Sequence, residues 1–150
     1  MKLYLIHRAY YLNYLEAQHR LEQILNEQEE MLARVEPKST LANHEREHMA
    51  SNPPATGTRT NKTEEYVIEA EKRHIADRLK VARQILQDRE LLLKQKEAEI
   101  RKSKDIYNVV YVAKYIDGVK ADRIYRDTEY SRSQIYNIIG HLKKQMERDF

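Results

Sequence analysis

Apolar positions recur along this chain at the three- and four-residue spacing of amphipathic helices, with no sustained two-residue alternation to mark a strand. From Leu3 the stripe runs through His7, Tyr10, Tyr14, Ala17, Leu21, Ile24, Gln28 and Met31 to Val35. Tyr4, Tyr11, Leu25 and Leu32 widen it, which predicts packing against more than one neighbour. Residues 37–63 then break the pattern with Pro37, Pro53-Pro54, Gly57 and a run of Ser, Thr and Asn. They read as a linker, with a short helix over Thr40–Ala50. Residues 64–104 form a second long helix, spanning roughly 60 Å at 1.5 Å per residue. Its stripe is Ile68, Ile75, Leu79, Ala82, Leu86, Leu93 and Ile100, with Lys72, Arg89 and Lys96 at intervening seam positions. Basic seam residues argue against one long uniform coiled coil and place the tightest packing near Ile75–Leu86.

Residues 105–150 carry a different signal. Gly118 ends a helical pattern, and Ala121, Ile124 and Tyr125 give a short helix one apolar face. Asp127-Thr128-Glu129-Tyr130 makes a polar turn, and Ser131 opens a longer helix. Ser131 and Gln134 match the S-x-x-Q capping box, in which each side chain satisfies a backbone N–H that the helix leaves unbonded. Ile135, Ile138, Ile139, Leu142 and Met146 follow as one buried stripe. The expected fold is therefore all-α: two long amphipathic helices, as a hairpin or coiled coil, and then a C-terminal helix-turn-helix. The segments are 1–36, the linker 37–63, 64–104 and 105–150. A short helix joined by a tight turn to a longer one is how many DNA-binding proteins hold a helix in the major groove.

Opposite the stripe of the last helix lie Ser133, Asn137, Gly140 and Lys144, flanked by Arg132, Tyr136 and His141. Between Ser131 and Lys144 the charged residues are Arg132, Lys143 and Lys144, with no acid among them. Asn and Arg can bond base edges in bidentate fashion and Lys can neutralise phosphate, so duplex DNA is the expected partner of this face. Gly140 adds to this, because an exposed mid-helix Gly costs roughly 1 kcal/mol relative to Ala. Its presence suggests that something approaches the backbone there. The competing reading is a solvated helix face.

Three groups of residues carry a resemblance. They are Tyr115-Ile116-Asp117-Gly118, Ala121-Asp122-Arg123-Ile124 and Tyr130-Ser131-Arg132-Ser133-Gln134-Ile135-Tyr136. Together they resemble region 4 of bacterial sigma factors and the related helix-turn-helix of small phage regulators of the ArpU/RinA type. The resemblance covers about the last third of the chain. It implies a phage or mobile-element transcriptional regulator whose recognition helix begins at Ser131. Arg132, Ser133, Gln134 and Asn137 would then lie nearest the bases. From their place on the same helix, Lys143 and Lys144 are expected to anchor phosphates, with Tyr136 and His141 also in the DNA-binding set. The chain departs from the family at Tyr125, where a small residue is usual, and at Glu129, where Gly is favoured. At a positive φ a non-Gly residue such as Glu129 would cost roughly 1–2 kcal/mol.

Composition narrows the remaining classes. Three Gly, three Pro, no Trp and 34% charged residues suit long exposed helices better than a large compact core. Cysteine is absent, which fits a reducing cytoplasm. No stretch approaches the ~20 apolar residues of a membrane span, and His7 and Arg8 interrupt the first apolar run too early for a signal peptide. A net charge of +3 neither supports nor excludes nucleic acid. The four tyrosines at positions 4, 10, 11 and 14 could stack bases, but they lie on or beside the apolar stripe, so packing is the expected role.

His44-Glu45-Arg46-Glu47-His48 matches the H-E-x-x-H of zinc metallopeptidases, with Glu64, Glu65 or Glu69 as a third ligand. Its two middle positions are charged, however, and Pro53-Pro54 follows almost at once. The expectation is therefore an exposed segment without zinc, and a protein that is neither an enzyme nor a cofactor carrier. Beside a zinc metallopeptidase, the least favoured class, two readings stay open. One is a cytoplasmic DNA-binding regulator, dimeric through its long helices. The other is a helical interaction or assembly protein, such as a phage packaging component or a partner of RNA polymerase.

Overall fold

Leu, Ala, Glu, Lys, Arg and Gln make up about half of the chain and favour helix. The computed structural model describes the backbone of residues 2–48 and 57–149 and the side chains of residues 2–34 and 63–149. Among the described residues the fold is all-helical: α1 Leu3–His48, α2 Gly57–Arg101, α3 Ile106–Tyr111, α4 Ala121–Arg126 and α5 Arg132–Asp149. None of these helices is long and apolar enough to cross a membrane.

The first long helix does not stop before the expected linker. Its backbone carries on through Pro37 to His48, and helix resumes at Gly57. A mid-helix Pro removes one donor and crowds one carbonyl, a local penalty of ~3 kcal/mol. The helix formers on both sides, Met31–Glu36 and Leu41–His48, can offset a penalty of that size. Pro53-Pro54 and the side chains of His44 and His48 lie outside the described residues.

Two compact units form, and both long helices pass through each of them. Glu16–Leu86 is one; Met1–Leu15 with Gln87–Phe150 is the other. In the first, Ile24 and Met31 of α1 bury against Ile75, Leu79 and Ala82 of α2, with Leu21 and Leu25 packed alongside. Arg78 of α2 forks onto Glu27 of α1 at 2.6 Å, and that hydrogen bond holds the Glu27 carboxyl below its usual range.

The second unit holds the larger core. Tyr4 and Leu5 of α1 and Ile100 of α2 join Val110 and Tyr111 of α3, Ile124 of α4, and Ile135, Ile138, Ile139, Leu142 and Met146 of α5. The Tyr4 hydroxyl donates to Oε1 of Gln145, linking the first turn of α1 to the last turns of α5. Beside it, His7 is buried, with Nδ1 2.7 Å from the Tyr111 hydroxyl. Burial holds the His7 imidazole below its ordinary value and pushes the Tyr111 hydroxyl up to about 12. The seam cations of α2 reach out of this core. Arg89 donates to the Asn13 carbonyl at 2.8 Å, while Lys96 lies 5.5 Å from the Tyr10 ring and 3.4 Å from Glu99. Their alkyl stems can pack while the charges stay solvated, so the stripe tolerates them.

Asp105 caps α3, its Oδ1 accepting from the Tyr107 N–H at 2.9 Å. The following turns widen into a π-helix over Val112–Ile116. It closes with Asp117 N–H on the Val112 carbonyl at 2.9 Å and Val119 N–H on the Ala113 carbonyl at 2.8 Å. Gly118 takes φ +68 at this closure, a conformation that disfavours any side chain. Arg101, in the last turn of α2, pairs with Glu97 at 2.9 Å and with Asp117 at 2.6 Å, bracing the turn against the helix end.

Candidate functional site

Ser131 and Gln134 form both halves of the capping box. Ser131 N–H donates to Gln134 Oε1 at 3.0 Å, and Gln134 N–H donates to Ser131 Oγ at 3.3 Å. The cap sets where α5 begins, and its stripe of Ile135, Ile138, Ile139, Leu142 and Met146 is buried to the last residue. Burying that stripe leaves the opposite face outward. Arg132, Ser133, Gln134, Tyr136, Asn137, His141, Lys143 and Lys144 are all exposed.

The eight do not form one uniform surface. Ser133, Asn137, Gly140 and Lys144 fall within about 60° of one another around the helix axis. Among the described residues, Ser133, Asn137 and Lys144 have no side-chain hydrogen bond or ion pair. A Cβ at Gly140 would meet nothing within 4 Å, so no described residue requires a glycine there. Arg132, Gln134, Tyr136 and His141 are committed to neighbours. Arg132 lies 3.3 Å from the Asp122 carboxylate of α4 and its guanidinium carbon 5.4 Å from the Tyr136 ring centre. The Tyr136 hydroxyl donates to the same Asp122 oxygen at 2.8 Å. Tyr136 first, and Asp122 after it, hold Arg132 above its ordinary value, so its charge is permanent. Gln134 spends its carbonyl on the cap, and His141 stands edge-on to Tyr107 of α3 at 5.3 Å. Lys143 turns away from the outward row and lines a cleft with residues of α1 and the π-helical turn.

Two features escaped the sequence reading. The run from Ser131 to Lys144 is free of acid along the chain but not in space, because α4 brings Asp122 against Arg132. An acid nine or ten residues upstream on another helix gives no periodic sign of this. The turn at 127–131 also avoids the cost expected at Glu129. Among the described residues no non-Gly residue takes a positive φ. Asp127 N–H reaches the Ile124 carbonyl at 3.2 Å, and the Thr128 hydroxyl reaches the Tyr125 carbonyl at 3.3 Å. Tyr125, where the resembled family carries a small residue, is half-buried and packs on the edge of the core.

Among the described residues no group of three or more potential metal ligands converges. Comparison with protein-family models, curated proteins and solved structures finds no significant match to this chain.

Proposed function

We propose that this chain is a DNA-binding transcriptional regulator in which α4, the turn at 127–131 and α5 form a helix-turn-helix with α5 as the recognition helix. One observation carries the reading. Among the described residues, the outward row of α5 presents Ser133, Asn137 and Lys144 without intramolecular partners, around a bare backbone at Gly140. A side-chain amide suited to adenine, a hydroxyl, a phosphate-neutralising cation and room for close approach are what a groove-reading helix needs. The likeness to ArpU/RinA-type regulators and to sigma region 4 favours a phage or mobile-element regulator acting in the cytoplasm.

Gel-shift titration against genomic fragments and random duplex tests the reading. Asn137→Ala should weaken binding at the specific site by about 1–3 kcal/mol and leave random DNA nearly unchanged. Lys144→Ala should weaken both and flatten the salt dependence by about one charge. Equal losses on all DNA for both variants would refute base reading.

Exposed apolar residues of α2 support a second element of the proposal. Val81 and Ile85 lie four apart in one unit, and Leu91 and Leu92 stand exposed in the other. A homodimer held through the long helices would cover such residues and double the DNA contact. An 18 kDa species by light scattering, with and without DNA, would favour a partner-binding monomer instead, serving RNA polymerase or an assembly.

A further inference from the structure

Beside α5, three side chains from three elements surround one open cleft of about 640 Å³: Arg8 of α1, Lys114 of the π-helical turn and Lys143 of α5. Leu12, Tyr115 and Met146 complete its walls, and Glu147 is the one acid that lines it. Elsewhere in the same unit, cations near carboxylates are paired. Arg101 holds Glu97 and Asp117, Arg132 holds Asp122, and Lys96 holds Glu99. Among the described residues none of the three cleft cations has an ion-pair partner, and Glu147 pairs with none of them. Two of them rest on aromatic faces instead: Arg8 lies 5.3 Å from the Tyr11 ring centre and Lys114 lies 5.6 Å from that of Tyr115. The cleft therefore gathers three unneutralised cations against one acid, two of them resting on tyrosine rings.

We propose that this cleft grips backbone phosphates of the same duplex that α5 enters, making α1 and the π-helical turn a second, sequence-independent clamp. The inference rests on the DNA-binding reading. Lys143 lies about 90° around α5 from the outward row. A helix seated in a major groove about 12 Å wide has strand phosphates along both flanks, so Lys143 faces one wall of the groove. Arg8 and Lys114 line the same cleft as Lys143 and add two cations to that flank. Arg8 can fork onto phosphate oxygens while Lys114 and Lys143 act as point charges. The half-buried Tyr115 hydroxyl remains a neutral donor, because burial pushes its titration up, Arg8 opposing and Glu147 assisting.

The test is the salt dependence of duplex binding for the full chain and for Arg8→Gln, Lys114→Gln and Lys143→Gln, with helicity checked by circular dichroism. Each substitution should flatten the slope of log K against log salt by about 0.9, equally on specific and random DNA. In parallel, acetylation of Lys114 and Lys143 in the unmutated protein should slow severalfold when duplex is added. This second arm needs no variant to fold. Unchanged slopes and unchanged acetylation, with wild-type binding intact, would overturn the clamp while leaving the recognition helix in place. Protection by inorganic tripolyphosphate but not by duplex would assign the cleft to a free phosphate ligand and also overturn the clamp. A wild-type chain that binds no DNA would overturn both readings.

Discussion

Asp122 offers the most discriminating test of how α5 is used, because the expected effect of removing it is a gain. Its carboxylate lies 3.3 Å from Arg132 and accepts from the Tyr136 hydroxyl at 2.8 Å, restraining two flank residues and neutralising one of them. Both members of the ion pair are more than half exposed, at 64% and 61%, so Asp122→Asn should leave thermal stability close to wild type. If α5 enters a duplex as proposed, the substitution frees one cation and removes one negative charge beside it. A freed cation that meets one phosphate should steepen the salt slope by about 0.9, so lowering the salt fourfold magnifies the gain about threefold. The assay is fluorescence-anisotropy titration of a labelled duplex at 50 and 200 mM salt, using wild type, Asp122→Asn, Arg132→Gln and the double variant. Arg132→Gln should abolish the gain in the double variant, and the cycle isolates the pair from other effects. Lower affinity for Asp122→Asn with an unchanged slope would refute the reasoning. It would show Asp122 holding α4 against α5 and not withholding a charge from DNA.

Tyr4→Ala should destabilise the unit containing α5 by about 3–5 kcal/mol in urea melts, comparable to Leu142→Ala; both residues are at most 1% exposed. A change below about 1 kcal/mol would remove Tyr4 from that core. Gly140→Ala should raise stability by about 1 kcal/mol, since the added Cβ meets nothing, yet weaken DNA binding where a ligand approaches the backbone. Unchanged binding would make Gly140 neutral. The buried His7 titrates below its ordinary 6.5, so the unfolded chain takes up the proton first. Stability from neutral His7 is then fully present above about pH 6.5 and is lost as pH falls from there through the folded value. Urea midpoints should drop between pH 7.5 and 5.5, and less so in His7→Gln; equal slopes in the two proteins would refute this.

The buried faces of α2 and α5 were legible in the sequence, because helical periodicity is a local property. The stripe of α5, its Ser131–Gln134 cap, the break at Gly118 and the α2 positions Ile75, Leu79, Ala82 and Ile100 all follow from spacing and residue type. Periodicity says that a face must be covered and is silent on what covers it. Tertiary structure decided that Tyr4 and Leu5, more than a hundred residues away, complete the core under α5, and that both long helices contribute to two units. Charge is silent in the same way. A run counted along the chain records neighbours in sequence, while Coulomb interactions follow distance in space. For that reason Asp122 against Arg132, and Lys143 turned toward Arg8 and Lys114, became visible only once the helices were packed.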